Sequence, residues 1–420
     1  MVSPVRLLVV TQYFWPENFR INDLVSELVR RGHQVTVLTG VPNYPDGQVF
    51  TAFKSDASQF SRYAGAYVHR VPMLPRGKGG MRLFLNYLTF AISASTVGVW
   101  KLRGLHFDAI FAYEPSPITV GLPAVTLRRT KNASLLFWVQ DLWPETLQAV
   151  GAVNSPLLLS VVGKLVSFIY MRCDVILAQS KSFIPQILKY APSGSRVLFF
   201  PNWSEKMPAS DEVNLAPEVP SETDRFTVMF AGNIGDAQDF PAILAAAERL
   251  KGYAIRWLIV GDGRMASWVL EEINKRELQD QVLMLGRFPS ERMPSFFRHA
   301  DALLVSLKDE SIFGMTIPSK LQTYLSAGIP VIAMLNGEGS DVVRESGSGI
   351  TCGAGDHEGL AKAVLKLSKA TPEERLEMGR TGQELSQREF DRDTLINRLE
   401  GWIGELCSSA TKSNGQRSRF

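Results

Sequence analysis

The 420-residue sequence predicts an α/β protein made of two doubly wound domains. Short apolar runs recur along the chain, each ending in glycine or another turn residue, and helical segments separate them. That rhythm belongs to parallel sheets wound with helices, where ligands sit beyond the carboxyl ends of the strands. The same plan occurs on both sides of a proline-rich stretch at 204–223. The length also exceeds one ordinary core and suits two domains of roughly 200 residues.

The first domain, 1–203, opens with strand VRLLVV (5–10), which leads through TQYFWPENF into helix INDLVSELVRRG. There Ile21, Leu24, Val25, Leu28 and Val29 form one apolar stripe, and Gly32 supplies a left-handed stop. QVTVLT (34–39), FDAIFAY (107–113), ASLLFWVQD (133–141) and CDVILAQS (173–180) continue as strands. Residues 204–223 carry several prolines and read as the interdomain linker. The second domain, 224–388, starts with FTVMFAGNIGDAQDF (226–240) and continues through WLIVGDG (257–263), VLMLGRF (282–288) and ADALLVS (300–306). It closes with IPSKLQTYLSAGIPVIA (317–333): a turn, a helix from Ser319, a stop at Gly328 and a strand. A terminal helix over 389–407 is expected to return to the first domain, followed by a loose tail, 408–420. Asp391-Arg392-Asp393 has the spacing of a metal-binding DxD but stands at a helix start, and reads as a cap.

An apolar share of 45% is that of a globular protein. The net charge of +3 divides unevenly: residues 1–205 hold 20 Lys and Arg against 11 Asp and Glu, leaving the second half acidic. A basic first half predicts an anionic partner, or a merely solvated basic face. Cys173, Cys352 and Cys407 are far apart and form no CxxC, which excludes a disulfide framework and a zinc site. The histidines show no ligand spacing, and there is neither a Walker loop nor GxSxG. The start, MVSPVRLLVVTQ, reads as a first strand and not as a signal peptide, so a cytosolic protein is expected.

Residues 82–104 are nearly uncharged over their middle, with Arg76, Lys78 and Arg82 before or at the start. Polar residues interrupt the run, so it reads as a buried helix or as one lying on a membrane through Phe84, Tyr87 and Phe90. PLLLSVVGKLVSFIYMRC (156–173) poses the same choice.

Two loops of the second domain suit a diphosphate. Gly232 and Gly235 leave room for backbone N–H groups near phosphate oxygens, and Asn233 adds a side-chain donor. Gly261, Asp262 and Gly263 form another strand-end turn, where Asp262 caps or binds. Pro318 fixes the last helix start, Ser319 is expected to cap it, and Lys320 projects at the same end, to bind phosphate or simply to be solvated. In the first domain Asp141 closes WVQD between Trp138 and Trp143, placed to orient a hydroxyl, to act as a base or to cap a helix. Glu17 and Asn18 occupy the first strand-end loop, as candidate acceptor contacts, beside Tyr13, Phe14 and Trp15, which line a sugar subsite or simply pack. Glu114 ends another strand.

VTQYFWPENFRINDLVSELVRRGHQVTVLTG, WVQDLWPE, PNW (201–203), AGNIG, GDG and PSKLQTYLSAGIPVIA together resemble the retaining nucleotide-sugar glycosyltransferases of family 4, over nearly the whole chain. The nearest likeness is to the WbuB-type transferases of bacterial surface-polysaccharide clusters, which move N-acetyl-L-fucosamine from a UDP donor. The resemblance implies the GT-B fold, two Rossmann-like domains whose parallel sheets face each other across a cleft. It implies a UDP-sugar donor on the second domain and a polyprenyl-diphosphate-linked saccharide on the first, in O-antigen or capsule biosynthesis. It places the protein peripherally on the inner face of the cytoplasmic membrane, with no nucleic acid, cofactor or metal required. Catalytic roles fall to Lys320, Asp141 and Glu310, and donor contacts to the two glycine turns with Ser319, Lys320, Gln322 and Thr323.

The chain departs from that pattern in places. Asn233 and Gln238 stand where many members carry loop cations, and Met315 and Thr323 where the family has paired glutamates. Glu310 lies nearby out of register, as a candidate for gripping the transferred sugar. Gln140, beside Asp141, stands where many members show a histidine. The alternatives are a UDP-sugar 2-epimerase of the same fold and a sugar-nucleotide-binding protein without turnover.

Overall fold

The computed structural model describes residues 3–417 apart from 78, 150–152, 154, 205–206, 208–212 and 222–223. The chain forms two compact units, one of residues up to Phe200 together with those from Ile396 onward, the other Pro201–Leu395.

The first unit is built on eight strands: β1 (Arg6–Val10), β2 (Gln34–Thr39), β3 (Arg62–Tyr63), β4 (Ala66–Arg70), β5 (Ala109–Glu114), β6 (Ser134–Val139), β7 (Val175–Ala178) and β8 (Val197–Phe199). Their order is β3-β4-β2-β1-β5-β6-β7-β8, parallel throughout except for the β3–β4 pair. The second unit holds β9 (Phe226–Ala231), β10 (Ile255–Val260), β11 (Val282–Gly286), β12 (Ala302–Ser306), β13 (Val331–Met334) and β14 (Gly349–Cys352). Their order is β11-β10-β9-β12-β13-β14, all parallel. In each sheet the chain winds outward one way, returns to the centre and winds out the other way. The reversal falls between β1 and β5 in the first sheet and between β9 and β12 in the second, and a crevice opens there at the strands' carboxyl ends.

The central strands read as continuous apolar runs because helices cover both faces. Every residue of β5, β9 and β10 is buried. Helix Arg20–Arg30 buries Ile21, Leu24, Val25 and Leu28, and Gly32 follows it at φ +93°. The expected strands lie where the sequence puts them; β3, β4, β8 and β14 are additional, short and only partly buried.

Part of the proposed linker packs onto the second unit. Ala216 and Val219 are buried, Ala216 N–H donates to the Ser295 carbonyl, and Arg292 pairs with Glu218. The final helix spans Arg392–Arg417, with Asp391 accepting from Thr394 N–H as its cap. It therefore runs through most of the segment expected to be a loose tail. Beyond Ile396 it belongs to the first unit, where Glu400 bonds Arg31 and His33, and Trp402 packs edge-on to Phe200.

Candidate active site

Lys320 is the second residue of helix Ser319–Ala327 and reaches across to β9. Its Nζ is buried with no hydrogen-bond partner, 3.9 Å from the centre of the Phe230 ring. Burial alone pulls its pKa down to about 7. It presses on the turn after β9, since a Cβ on Gly232 would lie 2.3 Å from Lys320 Cε and 2.7 Å from Nζ. Pro318, not Ser319, holds the cap position, and no side chain caps this helix. The first N–H groups of Ser319 and Lys320 have no helical carbonyl ahead of them and point out of the helix start.

The Gly232–Gly235 turn differs from the expected cradle of open N–H groups. Gly232 N–H donates to Val260, Ile234 N–H to Asp262, and Gly235 N–H to the Gln238 side chain. Those bonds sew the turn to the loop after β10, so its glycines serve close backbone approach more than donation. Gly261, at φ +150°, has space for no Cβ: one would stand 1.8 Å from the Gly232 carbonyl oxygen. A Cβ on Gly263 would meet the Ile234 carbonyl at 2.3 Å. Asp262 turns back to accept from Gly263 N–H, and Asn233 leans on Gln238 at 3.4 Å.

The remaining second-unit candidates fare unequally. Gln322 is buried, donates to the Asn202 carbonyl and so ties its own helix down, while its Oε1 is buried without a partner. Thr323 is half-buried and bonds back to the Ser319 carbonyl at 3.3 Å. Glu310 is exposed before the short helix Ser311–Gly314, and among the described residues no contact ties it to Lys320. The sequence reading passed over Lys308, after β12. It spans the chain reversal to pair with Asp236 at 2.7 Å, bringing a cation to the β9 turn that the turn itself lacks.

In the first unit Glu17 is buried. One oxygen accepts from Asn43 and Tyr44 N–H at 2.7 Å each, the other from Phe14 N–H at 3.0 Å. With both oxygens engaged it organises the loops after β1 and β2 and does not bind acceptor; burial raises its pKa despite those bonds. Asn18 beside it is exposed. Asp141 is half-buried after β6 and accepts from the Thr146 hydroxyl at 2.5 Å. Burial raises its pKa, while the Thr146 and Ser116 hydroxyls oppose the rise. Behind it Glu114, fully buried at the end of β5, has neither carboxyl oxygen hydrogen-bonded. Burial, and then the charge of Asp141, push its pKa well up, against the pull of the nearby Asp141 and Gln140 N–H groups.

Two family descriptions match the chain: Glycosyl transferase 4-like domain over residues 18–203 and Glycosyl transferases group 1 over residues 212–385. They cover one unit each and most of the chain together. The chain belongs to the GT-B glycosyltransferases. Among its relatives are the probable glycosyltransferase WbjE of Pseudomonas aeruginosa, 26% identical over 57% of this chain and 61% of its own, and WcaI of Escherichia coli. WcaI, assigned as a colanic acid biosynthesis glycosyl transferase, is 24% identical over 73% of this chain and 76% of its own. The chain thus spans about three fifths of WbjE and three quarters of WcaI. Among solved structures, HepE of Anabaena in complex with UDP superposes over 95% of this chain and all of its own, with a TM-score of 0.68 at 13% identity.

This GT-B glycosyltransferase also carries an exposed apolar face on its first unit. Helix Gly80–Ser93 continues through a π turn, Ala94–Gly98, to Lys101; it is long and apolar enough to cross a bilayer, and 28% of its most apolar stretch is buried. Met81, Phe84, Leu85, Leu88 and Ile92 share one exposed side, with Arg82 exposed among them. Phe90 faces the other way and is fully buried, and Tyr87 is half-buried beside Ser116 and Asp141. Arg76 also turns inward, its guanidinium 5.3 Å from the Tyr44 ring centre. Of the six residues read as membrane contacts, Arg82 and Phe84 are exposed, and Lys78 lies outside the described residues. Helix Pro156–Tyr170 exposes Leu157, Leu158, Val161 and Phe168, with Arg172 stacked 3.7 Å from the centre of the Phe168 ring.

Proposed function

We propose that this transferase moves a sugar, with retention, from a UDP-sugar to a lipid-linked saccharide during surface-polysaccharide assembly. The observation that carries the reading is the buried, unpartnered Lys320 Nζ at the β9 turn. A lysine closed off from water and from every acceptor is stabilised when an anion arrives. HepE, of similar fold, binds UDP, and WcaI is assigned to the synthesis of a polysaccharide. By its likeness to the WbuB type, the transferred sugar is N-acetyl-L-fucosamine or a related deoxy-amino sugar.

In the proposed reaction the bond from the anomeric carbon to the diphosphate breaks, and its electron pair leaves on the phosphate oxygen. Lys320 and the N–H groups at the Ser319 helix start hold that charge. The acceptor hydroxyl oxygen bonds to the anomeric carbon on the same face, and its proton goes to the departing phosphate. Asp141 accepts a hydrogen bond from a neighbouring acceptor hydroxyl and fixes the sugar's orientation. The exposed stripe Met81–Ile92 and its cations lie on the inner face of the cytoplasmic membrane, where a lipid-linked acceptor is presented.

The test uses purified full-length protein, a panel of UDP-sugars and a polyprenyl-linked saccharide carried in anionic vesicles. UDP release is expected only with acceptor present. The double variant Phe84→Asp, Ile92→Asp is expected to use vesicle-borne acceptor at least about tenfold less well, yet to use detergent-dispersed acceptor normally. Sugar interconversion without acceptor would instead indicate an epimerase, and no turnover with any donor would leave a binding protein.

A further inference from the structure

Arg76 is a half-buried cation that the proposed chemistry leaves unused. Its position is built from below. Buried Glu17 accepts from Asn43 N–H, and the Asn43 side chain accepts from Arg76 N–H at 2.7 Å. The chain at Gly47 lies so close that a Cβ there would fall 1.7 Å from the Arg76 carbonyl oxygen. The backbone beneath the guanidinium is therefore fixed by the loops after β1 and β2. Among the described residues no carboxylate pairs with Arg76. Its surroundings are aromatic hydroxyls: it stacks near Tyr44, and its charge acts on Tyr13 and Tyr87.

Tyr87 joins this cation to Asp141. It lies within hydrogen-bond influence of Ser116, and the charges of Arg76 and of Asp141 act on it in opposite senses. Tyr13 is anchored by donating to Asn86 at 3.2 Å, and Tyr13, Phe19 and Tyr44 form an aromatic cluster with ring centres 5.1 to 5.4 Å apart. The group stands at the carboxyl ends of the strands where the first sheet reverses direction. A cation, tyrosine faces and a carboxylate in sequence match a sugar that bears an anionic substituent.

We propose that Arg76, with Tyr13, Tyr44 and Tyr87, forms an anion subsite for the phosphate linkage of the acceptor, while the acceptor's sugar extends to Asp141. This rests on the reading of Asp141 as the acceptor-facing carboxylate. Arg76 shortly precedes helix Gly80–Ser93, so an acceptor in a membrane on which that helix's apolar face rests presents its phosphate next to this cation. The same chemistry is met by a lipid diphosphate or by free inorganic phosphate.

The experiment compares one saccharide on two aglycones, a short prenyl diphosphate and an uncharged alkyl chain of similar length, in detergent. In the native protein the diphosphate acceptor is expected to have the higher kcat/KM. Arg76→Gln is expected to lower the ratio of the two kcat/KM values by about 10- to 100-fold, through KM for the charged acceptor, with Arg76→Lys intermediate. Equal losses on both acceptors, or none, would overturn the subsite; a melting curve separates misfolding from loss of the contact, since the Lys variant keeps the charge. Inhibition by inorganic phosphate that disappears in Arg76→Gln, without any acceptor preference, would assign the site to free phosphate and also overturn the proposal. Absence of transfer to either acceptor by native protein would fail the transferase reading itself, a separate outcome.

Discussion

Lys320→Ala is expected to reduce sugar transfer by about two to three orders of magnitude while leaving the melting temperature unchanged or slightly raised. The two halves of that result have one cause. Nζ is buried over the Phe230 ring with no acceptor among the described residues, so the side chain gains nothing there and loses its hydration. Its pKa is about 7 folded, against an ordinary lysine value unfolded, so the unfolded chain binds more protons between about pH 7 and 10. The native state is consequently disfavoured by this lysine below pH 7, and the penalty fades as pH rises toward 10. Alanine removes both the penalty and its pH dependence. What it cannot replace is the positive charge that meets the departing diphosphate. Calorimetric melting from pH 6 to 10, alongside turnover with saturating acceptor, checks both halves.

Gly261→Ala is expected to cost roughly 3 kcal/mol of stability and to abolish UDP binding. Its φ of +150° disfavours any Cβ, and that Cβ would stand 1.8 Å from the Gly232 carbonyl oxygen. The strands themselves cannot yield, because β9 and β10 are locked in parallel register from Phe226–Ile255 to Ala231–Val260. The clash therefore pushes the β9 turn onto Lys320, which already fills the space at Gly232. Gly252→Ala is the internal control. It has φ +85° but nothing within 4 Å of its Cβ, so it should lose only about 1 kcal/mol and bind UDP normally. Urea unfolding and UDP titration of both variants decide the comparison.

The sheets were legible in the sequence because strands buried on both faces leave uninterrupted apolar runs; QVTVLT is β2 residue for residue. Short edge strands such as β3 and β14 were not legible, since they are partly exposed and lack that signature. Lys320 was found from its place after Pro318, but its burial depends on Phe230, some ninety positions earlier. Glu17 was misjudged as a ligand contact because nothing local shows that Asn43 and Tyr44 turn their N–H groups onto it. Periodicity held a usable warning for Phe90: residues 84, 88 and 92 share a helix side that position 90 opposes. Lys308 was missed, and Arg76 was read as a membrane contact and not as an inward cation, because each acts across the sheet, on a loop from another strand.

The most direct test of Lys320 as the diphosphate's counter-charge is the pH dependence of UDP affinity between pH 7 and 9, where the terminal phosphate of UDP carries nearly its full charge. A lysine with a pKa near 7 when free must take up a proton as the anion binds. The predicted result is a dissociation constant that rises with pH, approaching tenfold per unit above about pH 8, with proton uptake growing from about half a proton per UDP at pH 7 toward one, and no such slope in Lys320→Ala. A flat affinity across that range, or a Lys320→Ala variant that binds UDP as the native protein does, would contradict it.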